Sequence, residues 1–441
     1  MTTTNTINAN PTKDFFIDML TRDIALDRAI LDLIDNSVDA WRSNNKQENS
    51  WIRIDLNSEQ FCIHDNCGGI SRDTAQNYAF RFGRPKDSPP TPHSVGQFGV
   101  GMKRTLFKLG NHFKVTSKKN NDCFEIDVNV ADWKNISGNT WTFDITSPVD
   151  DVLKEGETDI KVDSLYPQIS SQLGLDIFIN QLATDISRAH FKNINEGLKI
   201  YINSNLINNY EISFLYSDLI NIHYEEFKHD DVNIKILAGI SERDLNQGGW
   251  YIVCNGRLVV SAEQSSVTGW QTNAGAPKYH ANFAFFRGIV EFDCEDSSKL
   301  PWTTTKTGID KDNPVYIVAL QRMNLAIKPI ITFLKNRARE DARFKETLLD
   351  SKPINDAINN AVKKNPYNIK FQSIAQDKKI IKFVGPEPIL PNLTPQEISI
   401  KYTVTPSDYE LVKDSLGVTT EKEVGEKTFA YYKTYECSNN G

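Results

Sequence analysis

The chain has 441 residues, 39% hydrophobic and 10% aromatic, which is room for two or three domains around sizeable cores. Lys and Arg number 50 against 57 Asp and Glu, a net charge of −7, which excludes a globally basic nucleic-acid-coating surface and leaves only a local basic face. No uninterrupted apolar run approaches the roughly 20 residues that span a bilayer, and the start MTTTNTINANPTKD has neither a basic nor an apolar signal region. The six cysteines, Cys62, Cys67, Cys123, Cys254, Cys294 and Cys437, include no CxxC pair, so neither a disulfide framework nor a zinc site is indicated. The expectation is a cytoplasmic protein with reduced thiols and no membrane partner.

Residues 1–13 are polar and read as a flexible arm or a strap exchanged with a partner subunit. The segment Asp23 to Trp41, DIALDRAILDLIDNSVDAW, has helical spacing, with Leu26, Ile30, Leu33, Ile34 and Val38 as its apolar part. Asp32, Asn36 and Asp39 fall at i, i+4 and i+7 and share one face, so a carboxylate and an amide can look into one pocket. Trp51 to Leu56 and Gln60 to His64 read as short strands, the second running into the turn Asp65-Asn66-Cys67-Gly68-Gly69-Ile70. Paired glycines there permit positive φ and close approach of a flat ligand, while Asp65 can accept from an exocyclic amine.

Gly83, Pro85, Pro89, Pro90 and Pro92 interrupt residues 71–95, which read as a mobile lid. The lid leads into Ser94-Val95-Gly96-Gln97-Phe98-Gly99-Val100-Gly101-Met102-Lys103-Arg104 and a helical run to Leu109 closed by Gly110. Glycines before a helix start form a phosphate cradle, because bare backbone N–H groups and the positive helix end point at the anion. The Walker spacing fails because Met102 follows Gly101 and puts Lys103 one position late, and the Rossmann spacing fails from Gly99. Taken singly, each feature has a plain reading: a solvated helix face, an ordinary turn, a helix start. Their order carries the meaning.

The ordered set DLIDNSVDA, DNCGGI and GQFGVG, followed by Gly156-Glu157-Thr158-Asp159-Ile160, resembles the GHKL ATPases: gyrase-type topoisomerases, ninety-kilodalton heat-shock chaperones, MutL repair proteins, MORC proteins and histidine kinases. It covers roughly residues 14 to 170. The resemblance implies that Asn36 holds Mg²⁺ against the triphosphate of ATP, that Asp65 accepts from the adenine amine, and that Thr158 supports the same base through water. Gly96, Gly99 and Gly101 match the lid glycines, and Gly69, Val100, Met102 and Lys103 complete the nucleotide-binding set. Asp32 takes the place of the glutamate that serves hydrolysing members as base, about 1.5 Å shorter in reach. Cys67 replaces the first glycine of the second box.

Further on, Trp250 to Arg257, WYIVCNGR, reads as a strand ending in an Asn-Gly turn and is similar to a hairpin that follows the ATPase domain in MutL-like proteins. Phe286 to Phe292 is another strand. The polar loop Leu300 to Asp310 carries Lys306, which the resemblance implies is the transducer lysine that reaches the γ-phosphate. A helix from Pro314 to Lys335 follows, with a charged amphipathic stretch over 325–347. Residues 171–191 read as helical, LKIYINSNLI as a strand, 352–391 as a linker, and the last fifty residues as a strand-helix-strand unit.

The fold expected is α/β: a Bergerat-type α/β sandwich ATP-binding domain over 14–200, a βα transducer-like domain over 201–347, and a small extension over 348–441. The function implied is a slow, Mg²⁺-dependent ATPase that works as a switch, with an ATP-dependent homodimer, a protein client and DNA as partners. By analogy the setting is DNA maintenance or defence against mobile DNA. A nucleotide-gated scaffold without hydrolysis is the alternative. A histidine-kinase-type activity is disfavoured, because Lys306 and the hairpin fit a transducer.

Overall fold

The computed structural model describes residues 11–83, 91–96, 99–136, 141–149, 153–368, 380–389 and 399–437. In chain order the first region contains α1 (Lys13–Arg22), α2 (Leu26–Ser43), β1 (Trp51–Leu56), β2 (Phe61–Asp65), a short α3 (Arg72–Thr74) running into a π turn, α4 (Gly101–Leu109), β3 (Gly110–Lys119), β4 (Asp122–Asn129), α5 (Val130–Asn135), β5 (Thr158–Leu165), α6 (Pro167–Leu173), α7 (Asp176–Ala189), α8 (Phe191–Asn195), β6 (Lys199–Ile202) and β7 (Asn205–Leu206). Seven strands form one sheet in the order β4-β3-β5-β2-β1-β6-β7. Alternation does the work: along β2, Phe61, Ile63 and Asp65 are buried while Cys62 and His64 are half-buried. One face of the sheet thereby meets the apolar side of α2, where Ile30, Leu31, Ile34 and Val38 are fully enclosed.

The polar arm ends earlier than expected, since Lys13 already opens α1 and its buried ammonium donates to the Trp133 carbonyl at 2.6 Å. The helical stretch after residue 166 is three helices, with breaks at Gly174 and His190. A division of the chain after residue 200 falls inside β6, which pairs in parallel with β1 and belongs to the first sheet.

The second region contains β8 (Phe214–Tyr216), β9 (His223–His229), β10 (Val232–Ile240), β11 (Gly249–Cys254), β12 (Arg257–Glu263), β13 (Phe286–Asp293), α9 (Pro314–Lys345), α10 (Pro353–Asn360), β14 (Val362–Lys364) and β15 (Ile380–Ile381). Its main sheet runs β12-β11-β13-β10-β9-β15. The hairpin β11–β12 turns through Asn255 and Gly256, both at positive φ, which is the Asn-Gly turn expected from the sequence. Residues 353–381, read as linker, add α10 against α9 and β15 against β9.

The helix expected from Pro314 to Lys335 and the charged amphipathic stretch over 325–347 form one helix, α9, and Pro329 sits on its exposed side without ending it. Burial of Ala326, Ile327, Ile330 and Leu334 in the second core outweighs the breaker. By length and composition α9 could also cross a membrane, but half of its most apolar window is buried within the protein.

Residues 390–441 form a separate compact unit. Its described part is two helices, Pro406–Leu416 and Glu421–Tyr435, rather than a strand-helix-strand unit. The stretch KTFAYYKTYE lies in the second helix, which Thr420 and Glu423 start with a reciprocal capping box.

Candidate functional site

Helix α2 carries the site because its inner polar residues cannot join the apolar core and must find partners along the glycine loop. Asp39 is buried, and its carboxylate accepts from the Val95 and Gly96 N–H groups at 2.8 and 2.7 Å and from the Ser94 hydroxyl at 2.7 Å. Burial pushes its pKa up, and those three donors only partly offset it. Asp39 therefore anchors the start of the loop. Asn36, one turn earlier, is exposed. A Cβ on Gly96 would lie 3.1 Å from the Asn36 Oδ1, and one on Gly101 would lie 3.2 Å from the Asp32 carboxylate. Glycine keeps the loop backbone against this face of the helix. Gly99 takes a φ of 63°, Val100 caps α4, and Gly101 and Met102 form its first turn. Gln97, Phe98 and residues 84–90 of the lid lie outside the described residues.

At the other end Asp65 closes β2, where it is paired across the sheet with Thr158 of β5. Its carboxylate accepts from the Ser37 hydroxyl at 2.7 Å and the Cys67 N–H at 2.9 Å, and burial raises its pKa to about 6. The Thr158 hydroxyl shares a 2.8 Å hydrogen bond with Ser117, which also receives the Ile70 N–H. Positive φ falls on Gly68 and Gly69, not on Cys67, which explains why cysteine is tolerated in place of the first glycine. A Cβ on Gly69 would collide with the Lys118 carbonyl oxygen. The result is a buried carboxylate surrounded by the hydroxyls of Ser37, Ser117 and Thr158.

The Asp32 end is ionic, and it is built from both regions. Lys306 stands at φ 55° in the loop after β13, which hydrogen bonds from Thr303 N–H to Gly308 and from Lys306 N–H to Thr303 hold closed. Its buried ammonium donates to Asp32 Oδ1 at 3.0 Å and to Asp35 Oδ2 at 2.7 Å. Arg104 of α4 pairs with the other Asp32 oxygen. Arg257 donates to Asp35 Oδ1 at 2.9 Å, and His190 Nε2 stands 3.4 Å from that oxygen. Burial works against the Asp35 charge, but Arg257 and Lys306 overcome it and hold the carboxyl below its usual value. Burial likewise opposes the Lys306 charge, and Asp35 and Asp32 overcome it and raise its pKa. His190, buried with no competing anion strong enough, falls to about 3 and is neutral. The hairpin completes the junction: Asn255 donates to the Ser94 carbonyl, and Arg42 of α2 donates to the Asn255 carbonyl.

Asp32, Asn36, Asp39, Gly96, Gly101 and Lys306 thus meet, and Asp65 pairs with Thr158 and reaches α2 through Ser37, on another side of the helix. Lys103 is turned inward, where its ammonium donates to the Ala79 carbonyl at 2.8 Å and burial lowers it to about 7. Asp35, Arg104, Arg257 and His190 were not singled out from the sequence. Asp35 left one signal: two carboxylates three apart on an apolar helix repel unless a cation lies between them.

Residues 24–156 match the family model described as Histidine kinase-, DNA gyrase B-, and HSP90-like ATPase, so an ATPase domain of the GHKL type lies there. The match includes Asp32, Asn36, Asp65 and the glycine loop; Thr158, the second sheet and Lys306 lie beyond it. No curated protein matches the chain.

Proposed function

We propose that the chain is an Mg²⁺-dependent, ATP-hydrolysing switch in which the second region works as a transducer that reads the phosphate end of the nucleotide. The observation that carries this reading is Lys306, a cation on a loop of the second region whose ammonium lies buried on the helix of the ATPase domain. Adenine would sit at Asp65 and Thr158, and the triphosphate against Asn36 and the loop of Gly96, Gly99, Val100 and Gly101. Asn36 fits Mg²⁺: it offers an exposed oxygen donor from a rigid helix beside a glycine cradle. When bound, Mg²⁺ would neutralise phosphate charge and fix the geometry of the chain of phosphates.

Asp32 is the base. Its carboxylate is held by Arg104 on one oxygen and Lys306 on the other, so neither oxygen is open to a water. An ammonium that turns to a γ-phosphate leaves Asp32 Oδ1 open to a water, so the same movement stabilises the phosphate and arms the base. Loss of that contact after hydrolysis would separate loop and helix again. Closure in this sense supports an ATP-dependent homodimer acting on a protein client or DNA, in DNA maintenance or defence against mobile DNA.

The test is steady-state ATP hydrolysis by the wild type beside Asp32→Ala and Lys306→Ala, with nucleotide binding measured in each. Turnover in the wild type and binding without turnover in both variants is the expected result; no ATP binding by the wild type would overturn the reading. The double clamp on the short Asp32 side chain also favours a second reading, a nucleotide-gated scaffold. That reading holds if the wild type binds ATP and does not turn it over with client or DNA added.

A further inference from the structure

Two aspartates share the Lys306 ammonium, and only one of them is needed as a base. Asp32 has Arg104 as its other cation, at the edge of the site beside the Gly101 backbone. Asp35 lies deeper, fully buried, with Lys306 on one oxygen and Arg257 on the other. Its remaining neighbour, His190, is oriented for it. The Asn193 amide, which also reaches the Gly256 carbonyl, stands 3.4 Å from His190 Nδ1. With Nδ1 accepting, the ring proton is on Nε2, the nitrogen that faces Asp35.

The two carboxylates therefore differ in what they keep when the ammonium leaves. Asp35 retains Arg257 at 2.9 Å in a fully buried site, with His190 Nε2 3.4 Å away, and its charge stays matched. Asp32 retains Arg104 alone and becomes available.

We propose that Asp35 is a positioning residue for Lys306: it is the buried seat that competes with a γ-phosphate for the ammonium, and through Arg257 it ties that exchange to the β11–β12 hairpin. The proposal rests on Lys306 being the phosphate-reading cation. One ammonium cannot serve two carboxylates and a phosphate at once, so the strength of the Asp35 seat sets how strongly a triphosphate must bind to win it. Asp35 then tunes the preference for ATP over ADP, which differ at the group Lys306 would meet. The Arg257 contact keeps Asp35 fixed, and the neighbouring Asn255 and Gly256 bear on Ser94 and Arg42, at the loop start and at the end of α2.

A merely structural ion pair joining two regions would predict lower stability on removal and no selective effect on the γ-phosphate. The experiment measures dissociation constants for a non-hydrolysable ATP analogue and for ADP in the full chain, in wild type, Asp35→Asn, Lys306→Gln and the double variant. Freed of one competitor, Lys306 in Asp35→Asn should raise the triphosphate-over-diphosphate preference about tenfold, the size of one charge-assisted contact. In the Lys306→Gln background the same change should move the preference by less than about twofold. A second readout needs no nucleotide: labelling of Lys306 by an amine-reactive reagent, followed by mass spectrometry, should be faster in Asp35→Asn.

If Asp35→Asn leaves too much buried positive charge to fold, Asp35→Asn/Arg257→Gln removes both partners and carries the same expectation. An unchanged preference, or an equal shift with and without Lys306, overturns the role of Asp35. If Lys306→Gln itself has no effect on the preference, the reading of Lys306 falls first, and the two failures are told apart.

Discussion

The two ends of the candidate site are built on opposite plans. The Asp65 end is local: β2, β5 and β3 bring Asp65, Thr158 and Ser117 together by strand register, and hydroxyls and backbone N–H groups satisfy the single carboxylate. The Asp32 end is assembled from distant segments, α2, α4, α7, β12 and the loop of Lys306, and is held by charge. A hydrogen-bonded seat fixed by a sheet has one arrangement. A cluster in which one ammonium is shared by two carboxylates has more than one, and on the proposed reading that difference in kind separates recognising a base from reading a phosphate.

The comparison breaks most decisively at Lys306. Lys306→Ala should lower ATP turnover by about 10² to 10³ while ADP affinity stays within about threefold, measured by steady-state kinetics and calorimetry. Equal losses of ATP and ADP affinity would put the lysine outside the reading of the γ-phosphate.

At the opposite end, Asp65→Asn should weaken adenine nucleotides about 30-fold, ATP and ADP alike. The same variant should be more stable than the wild type at neutral pH. The folded pKa of Asp65 is raised to about 6 against an ordinary 3.8. The folded state therefore binds the proton more tightly than the unfolded chain, and stability falls as pH rises from about 4 to about 6 and stays lowered above that. Removing the carboxylate relieves a cost of at most about 3 kcal/mol at pH 7 and nothing below about pH 4, which thermal unfolding at the two pH values will check.

Smaller effects sharpen the contrast. Asp32→Glu restores the missing methylene and should raise turnover about tenfold without changing ATP affinity; a fall would show that Arg104 and Gly101 are fitted to the shorter side chain. Gly69→Ala should cost about 2 kcal/mol in a melting experiment, because the residue combines positive φ with close contact to the Lys118 carbonyl.

The same contrast explains what could be read in advance. Asp65 and the glycines were legible as site candidates because turn chemistry and strand ends are local, whereas Thr158 entered only through family likeness. Asn36 followed from helical spacing. Asp35 was hidden by the same spacing: it sits beside the Asp32, Asn36 and Asp39 stripe, and its partners Arg257, His190 and Lys306 come from far along the chain. Lys306 was reachable only through family likeness, since a lysine in a threonine-rich loop has no local signature. Of the two C-terminal helices, the second reads as a strand in the sequence because TFAYYKTY is rich in β-formers, although the capping box at Thr420 and Glu423 marks a helix start. The helix from Pro314 was legible from its spacing and runs on to Lys345, Pro329 included, because a buried face packed in the second core holds it.

The parallel pairing of β6 with β1 reaches beyond geometry into the life of the chain on the ribosome. The first sheet cannot be completed when residues 24–156 emerge, because the strand beside β1 is still to be translated, and the loop bearing Lys306 follows later again. At roughly 5–20 residues per second, a nascent chain spends seconds with the first sheet incomplete and the loop of Lys306 absent. Pairing across such a sequence distance is slow to form, and until it forms an open strand edge is exposed. The order of synthesis therefore favours completing the first sheet before Lys306 reaches Asp32 and Asp35, so that the ionic cluster is the later of the two ends to be assembled.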